Sequence, residues 1–232
     1  MRYLFLLLSV FSLSLLAQER KVQNKPFIDE RRFHYGFFFG IHDQGIEFEN
    51  NGYIDPATGA QWSVENDKMN LGFSVGVLGD WRVNRYVSLR LQPALHFGSK
   101  HLCFFDHVSG KEESQDMKSA LLSVPINMKL SGPRYNNYRP YVVGGISANY
   151  DLTAKKHTLL QTKPFSLCLE VGFGCDCYLP FFKIIPELKF SFGLNDILKK
   201  DRSDLLDSSQ QVFTQSVNKA TINMVTLTLY FE

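Results

Sequence analysis

The sequence predicts an all-β fold, a single transmembrane antiparallel up-and-down β-barrel of eight strands. Three observations predict it. Large apolar residues alternate with small or polar residues at a period of two in many segments. The segments have about ten residues, the length that crosses a bilayer as a tilted strand. The connections alternate between long and short, which is typical of outer-membrane barrels with long extracellular loops and short periplasmic turns.

The composition fits such a barrel and excludes several other classes. Aromatic residues make up 14 % of the 232 residues, with 20 Phe and 10 Tyr. The formal net charge is only +2, which gives no reason to expect a nucleic-acid partner. The mean hydropathy of −0.14 argues against a helical membrane protein. The four cysteines are interpreted as structural, because the C-x-C at Cys175 and Cys177 has no second pair nearby to complete a metal site.

The first residues, MRYLFLLLSVFSLSLLAQ, have the layout of an export signal. The expected organisation is a signal peptide over 1–17, a periplasmic N-terminal leader over 18–32 and the barrel domain over 33–232. A retained membrane anchor is the alternative, but the apolar run is shorter than the about 20 residues that span a bilayer. The predicted location is therefore the outer membrane of a Gram-negative bacterium, reached by means of the signal peptide.

The first predicted strand, RRFHYGFFFGI, shows the alternation most clearly. From Phe33 to Ile41 the odd-numbered positions are large and apolar, and the even-numbered positions are small or polar except Phe38, which we expect to point inward as a plug. Seven further strands are predicted over 69–77, 87–97, 119–130, 140–152, 165–174, 183–192 and 224–231. Long connections are expected over 41–68, 99–118 and 195–219, and short connections over 79–85 and 179–182.

The polar face decides which side of the barrel meets lipid. It consists mostly of Gly, Ser, Asn, Thr and Ala, whereas the water-exposed face of a soluble barrel would carry many Lys and Glu. Small residues suit a narrow eight-stranded lumen, so a membrane barrel is favoured over a lipocalin-like soluble barrel. The residues expected to face lipid are Phe33, Tyr35, Phe37, Phe39, Leu89, Leu91, Leu227 and Leu229.

Ionisable residues on the polar face are expected to fill the lumen. The predicted polar network comprises His34, Arg90, Gln92, His96, Glu170, Glu187 and Lys189, with Asp176 and Lys183 as further lumen residues. Polar groups buried there need partners, so Arg90 or Lys189 is expected to pair with Glu170 or Glu187. A gated pore or a catalytic group is the alternative, but an eight-stranded lumen is too narrow for a protein substrate.

No motif of a hydrolase, metalloprotease or nucleotide-binding protein occurs in the sequence. His101 and His107 flank Asp106 in a predicted loop and could bind a metal, but loop histidines are usually only solvated. We therefore predict no catalytic residue, cofactor, metal or small-molecule substrate. One feature conflicts with the barrel: Pro93, Pro125 and Pro186 fall within predicted strands, so bulges or strand ends are expected near them.

Several stretches resemble the PorT family of outer-membrane barrels from Bacteroidota: KPFIDERRFHYGFFFGI, WRVNRYVSLRLQPAL, LLSVPINMKL, RPYVVGGISANYDL and KPFSLCLEVGFGCDCYLPFFKIIPELKFSFGL. The resemblance implies a noncatalytic component of the type IX protein secretion system, which in some relatives also serves gliding motility. It implies outer-membrane lipid and other secretion-system proteins as partners, and no cofactor. The alternative is a general small outer-membrane barrel for adhesion or envelope integrity.

Overall fold

The computed structural model describes residues 22–54, 59–66, 70–154, 161–199 and 216–232, so the predicted signal peptide lies outside the described residues. A short 3-10 turn, Ile28–Glu30, precedes ten antiparallel strands in one sheet. Their bounds are β1 Phe33–Asn50, β2 Trp62–Asn66, β3 Leu71–Arg82, β4 Val87–Leu91, β5 Ala94–Asp106, β6 Glu112–Ser131, β7 Tyr138–Asp151, β8 Phe165–Tyr178, β9 Lys183–Gly193 and β10 Val217–Phe231. None of the described segments is a helix long and apolar enough to cross a bilayer.

The strands close into an eight-position ring. β1 pairs with both β3 and β10, which leaves the ring without an edge. β4 and β5 each pair with β3 and β6, so they occupy one position in succession. β2 pairs with β5 in the same direction as β3 does, so it continues the position of β3 at the extended end, with Val64 pointing into the interior. The ten strands therefore fill eight positions in the wall, and the predicted up-and-down barrel is confirmed.

The two faces of the wall have opposite character. Phe37 and Leu227 are 56 % and 50 % exposed on the outer face, whereas Arg90 is 0 % exposed in the lumen. Phe38 also points inward, as expected, and its ring centroid lies 4.9 Å from that of Tyr230. Apolar side chains outside and buried polar side chains inside are the arrangement that hydrocarbon surroundings stabilise.

The first two prolines lie side by side at a break in the wall. Pro93 falls between β4 and β5 and accepts a hydrogen bond from the Val77 amide over 3.1 Å. Pro125 accepts from the Gln92 amide over 3.3 Å. Because the N–H and C=O of a strand residue point to the same side in an antiparallel ladder, the missing N–H of Pro125 faces this break. No regular ladder bond is lost there.

Pro186 is accommodated in a similar way. Its ladder to β10 is continuous, with Pro186 opposite Leu229. The pairing with β8 lapses at this point, between the pairs Gly174 with Glu187 and Cys177 with Ile184. An expected strand end therefore lies at Pro93 and faces Pro125, whereas Pro186 lies at a gap in the pairing of β8 with β9 where the register is unchanged, without a bulge or a strand end.

The predicted long loops are partly wrong. β1 continues to Asn50 inside the predicted loop 41–68, which also contains β2, and β5 and β6 extend through most of 99–118. These strand extensions were missed because, outside a membrane, a strand needs no apolar outer face, and its polar residues then resemble a loop. We call this side of the barrel the extended end. The opposite side, with the turns after β3, β6 and β8, is the turn end.

The interior changes character towards the extended end. The outer face of β6 is polar from Glu112 to Lys118 and apolar from Ala120 to Leu130, whereas Met117 points inward and is buried. Around Met117 lies an apolar cluster that comprises Ile46, Val64, Leu102, Phe104, Ile197, Leu198, Val217, Ala220 and Ile222. A polar exterior over an apolar interior is the pattern of a water-soluble barrel. The wall therefore leaves the apolar layer near Lys118.

Candidate functional site

The centre of the lumen is built around Arg90. Its Nη1 lies 2.8 Å from the Glu187 carboxylate, and its Nη2 lies 3.2 Å from the carboxylate of Asp80. The guanidinium also lies over two rings, 5.1 Å from the centroid of Tyr141 and 5.4 Å from that of Tyr230. Burial of such a charge is stable only with this many partners.

Glu187 is satisfied from several directions. The Tyr141 hydroxyl donates to it over 2.6 Å, and the Tyr230 hydroxyl donates to it over 2.8 Å. Together with Arg90 these donors supply both carboxylate oxygens with hydrogen-bond partners. Three donors thus fix the Glu187 carboxylate at the centre of a hydrogen-bonded network.

A second pair lies beside the first. Lys189 Nζ is 2.9 Å from the Glu170 carboxylate, to which the Asn127 amide also donates over 2.9 Å. Gln92 joins the two pairs, because its Oε1 accepts from Lys189 over 3.3 Å and its Nε2 donates to the Tyr230 hydroxyl over 3.0 Å. Both pairs therefore join residues that the sequence analysis expected to pair. Arg90 meets Glu187, and Lys189 meets Glu170.

A third group of charges lies nearer the turn end. Lys129 Nζ is 2.8 Å from the Asp176 carboxylate, and Lys183 Nζ is 2.7 Å from that of Glu232. His34 Nδ1 lies 2.5 Å from the same Glu232 carboxylate. The predicted lumen residue His34 is thus separate from the central network and belongs to the rim.

His96 lies on the other side of the centre, towards the extended end. Its Nδ1 is 2.7 Å from the Ser74 hydroxyl, which is also 2.8 Å from Nδ1 of His42. Above them the Ser119 hydroxyl donates to Gln44 over 3.2 Å, just below the apolar cluster. Side chains therefore occupy the lumen at successive levels from the turn end to the extended end.

Sequence reasoning missed Asp80, Lys129, Tyr141 and Tyr230. Asp80 has the inward parity of Ser74 on β3, but it lies beyond the predicted strand 69–77. Tyr230 likewise shares the inward parity of Thr228. Extending the alternating pattern of β3 to the end of the strand would have found Asp80, whereas Tyr230 already lies on the polar face of the predicted strand 224–231. The tyrosines were overlooked because aromatic residues were expected on the lipid face.

The outer-face residues expected to meet lipid lie on the outside of the wall. Seven of the eight are exposed, and Leu229 is partly covered by its neighbours. Phe37 and Phe39 both stack on Phe231, at centroid distances of 5.4 and 5.3 Å. Phe33 stacks on Trp81 at the turn end over 6.3 Å. Such aromatic groups are typical of a barrel near the membrane interface.

The histidine and aspartate group at the extended end does not converge. Asp106 accepts hydrogen bonds from the amides of Gln61, Val108 and Ser109 over 3.0, 3.1 and 3.2 Å. The hydrogen bond from the Ser109 hydroxyl holds the pKa of the Asp106 carboxyl below its ordinary value. His101 pairs instead with Asp116 over 2.6 Å. Asp106 therefore organises a turn, and the described residues contain no cluster of three metal-ligating side chains.

The leader packs against the turn end rather than hanging from it. Asp29 accepts from the Tyr178 hydroxyl over 2.7 Å and lies 3.5 Å from Arg134 and 3.7 Å from Arg139. The Asn24 amide group donates to the Tyr178 carbonyl over 3.0 Å. The described part of the leader, from Val22, is thus held by side chains from the turn after β6, the start of β7 and the end of β8.

Comparison with known proteins agrees with this geometry. The sequence model of a family described as outer membrane protein beta-barrel domain matches residues 16–199. The chain belongs to this family. Outer-membrane barrels of this kind place short turns in the periplasm and long loops outside, so the turn end faces the periplasm and the extended end faces outward.

The crystal structure of the outer membrane protein OprG from Pseudomonas aeruginosa is similar to this barrel, with a TM-score of 0.46 and 13 % sequence identity. The similarity covers 86 % of this chain and 94 % of that chain. No curated protein sequence matches this family member.

Proposed function

We propose that this outer-membrane barrel is noncatalytic and acts through its two ends, as a docking component rather than as a conduit. The observation that carries the proposal is the occupied lumen, in which Arg90 and Glu187 meet across the interior and are surrounded by tyrosine side chains. A protein substrate cannot pass through such an interior without dismantling it.

The first candidate role is that of a PorT-like accessory of type IX secretion. It is supported by the sequence stretches quoted above, including WRVNRYVSLRLQPAL and LLSVPINMKL. In this role the barrel supports export of proteins across the outer membrane by docking to a larger translocon or by helping to assemble it. Other secretion-system proteins and outer-membrane lipid are its partners, and gliding motility depends on it in strains that glide.

The second candidate role is adhesion or envelope integrity. It is supported by the match to a general outer-membrane barrel family and by the extended end, where β2, β5 and β6 project beyond the apolar layer. The polar outer face there, from Glu112 to Lys118, is available for surface contacts.

Deletion of the gene, with re-expression of the intact chain as the control, separates the two roles. A secretion accessory predicts loss of a set of secreted proteins while detergent resistance stays normal. An adhesion or integrity protein predicts an unchanged secretome with altered surface binding or detergent sensitivity. Mass spectrometry of the culture medium and a detergent-sensitivity assay on the same strains provide both readouts.

The docking mechanism has its own test. The purified barrel in a planar lipid bilayer should show no stepwise conductance, because paired side chains fill its interior. Large and stable current steps from the intact protein would contradict the docking mechanism and favour a pore. Migration that changes on heating the sample in gel electrophoresis verifies that the inserted material is folded barrel.

A further inference from the structure

A cavity of about 460 Å³ lies at the turn end, between the leader and the turns after β3 and β6. Its charged lining consists of four arginines, Arg82, Arg85, Arg134 and Arg139, and two acids, Asp29 and Glu30. We call this cavity the arginine vestibule. The surplus of cations gives it a positive field, and a concave shape concentrates such a field.

Two of the four arginines are already engaged. Arg134 lies over the Tyr178 ring, 3.6 Å from its centroid, and both Arg134 and Arg139 face Asp29. The other two have no carboxylate partner: among the described residues, neither Arg82 nor Arg85 forms an ion pair. Arg82 donates to the Asp29 carbonyl, and Arg85 lies over the Tyr86 ring at 5.9 Å. Two guanidinium groups therefore line the cavity with unused capacity for an anion.

The position of the vestibule favours a soluble partner over a lipid headgroup. Arg82 and Arg139 have the inward parity of their strands, whereas their neighbours Trp81 and Tyr138 point outward and are exposed. The aromatic neighbours face the membrane interface, and the arginines face the space beneath the lumen. Arg82, Arg85 and Arg139 also line a smaller cavity of about 30 Å³ that leads towards the lumen charges.

We propose that the arginine vestibule binds an acidic peptide segment of a periplasmic protein, with its carboxylates on Arg82 and Arg85. The planar guanidinium matches a carboxylate in two parallel hydrogen bonds, a geometry that lysine cannot offer. The cavity has the size of a small-ligand site, for which about 300–1,000 Å³ is usual, so it accepts a few side chains and not a folded domain. The inference rests on the proposed docking function and names the chemistry of the partner.

The test uses the purified full chain in nanodiscs of zwitterionic lipid and a fluorescein-labelled polyglutamate peptide, followed by fluorescence anisotropy. The intact barrel should bind the peptide at low ionic strength and lose it as salt is added. Arg85→Gln should weaken binding about tenfold, which corresponds to about 1.4 kcal/mol, and Arg85→Glu should weaken it further. Arg85 has no ion pair to lose among the described residues, and heat-dependent gel migration verifies that each variant is folded.

The matched control removes a cation from the opposite end. Lys111→Gln, an exposed residue between β5 and β6, should leave peptide binding unchanged. A labelled polyglutamine peptide should not bind. Equal binding by Arg85→Gln and the intact chain would overturn the inference. Displacement by inorganic phosphate at concentrations as low as those of free polyglutamate would also overturn it and point to a phosphate site.

The outcome is separable from the proposed function. If deletion of the gene alters secretion or surface binding but the purified barrel does not bind polyglutamate, the docking function stands and the vestibule assignment is wrong. If the peptide binds through Arg85 while the deletion strain is normal in both phenotypes, the vestibule assignment stands and the proposed roles are wrong.

Discussion

Arg90 on β4 contacts Glu187 on β9 through the interior of the barrel, with 2.8 Å between Nη1 and Oε2. Both side chains are fully buried. β4 and β9 are not neighbours in the ring, so the pair links two separate parts of the wall. Removal of one member of such a pair leaves an uncompensated buried charge, which costs more than the pair itself contributes. The lumen contacts therefore hold the barrel in one closed shape.

Arg90→Met should lower the free energy of unfolding by about 3–5 kcal/mol, because the carboxylates of Glu187 and Asp80 then lose their shared cation. Urea unfolding of the barrel in lipid vesicles, followed by tryptophan fluorescence, measures the loss. Glu187→Gln is the second arm, and the double variant closes the cycle. The double variant should lose less than the sum of the single losses. Strict additivity would show that the two side chains do not interact energetically.

Alternation in the sequence was sufficient to predict the ring and the inward residues of its central part. Arg90 and Glu187 each lie on the polar parity of a predicted strand, and ions of opposite sign in one narrow lumen must pair. The sequence did not specify which cation meets which acid. That choice depends on the stagger of the strands around the ring, which a pattern within one strand does not contain. Asp80 was not connected with Arg90 because it lies beyond the end of the predicted strand 69–77.

The ends of the strands were predicted less well. From Lys118 towards the extended end, the surroundings of the wall change from lipid to water, and the polarity of the two faces of β6 reverses accordingly. A prediction that follows one constant apolar and polar alternation ends the strand at that boundary and assigns the polar extension to a loop. The leader was also difficult to predict, because the contacts of Asp29 come from Tyr178, Arg134 and Arg139, which are distant in sequence.

The boundary can be tested on one face of one strand. Ile126 and Ser114 both point outward from β6, the first within the apolar stretch and the second in the polar extension. Ile126→Arg should cost about 2–4 kcal/mol of stability, because a charge then faces hydrocarbon. Ser114→Arg should stay within about 0.5 kcal/mol of the unaltered barrel, since that position faces water. Urea titration in vesicles measures both, and equal costs would place the membrane boundary elsewhere.

Two adjacent glycines in β7 should respond differently to the same substitution. A Cβ on Gly145 would lie 2.2 Å from the Ile126 carbonyl oxygen and 2.3 Å from Asn127 Oδ1. A Cβ on Gly144 would lie 3.7 Å from its nearest neighbour, the Glu170 carbonyl oxygen. Gly145→Ala should therefore destabilise the barrel by about 1–3 kcal/mol through overpacking, whereas Gly144→Ala should be nearly neutral. Unfolding midpoints of the two variants test the difference, and similar midpoints would mean that β7 shifts freely.

The last prediction concerns the contacts that attach the leader to the turn end. Asp29→Ala removes the acceptor of the Tyr178 hydroxyl and the counter-charge of Arg134 and Arg139. The leader should then separate from the turn end more often, because local opening depends on the few contacts that hold a segment. Limited chymotrypsin digestion of the purified barrel should cleave after Phe27, an exposed leader residue, faster than in the unaltered chain. Glu30→Gln is the matched control, since Glu30 is the adjacent exposed acid and forms no ion pair among the described residues. Equal cleavage rates for Asp29→Ala and Glu30→Gln would show that Asp29 does not hold the leader.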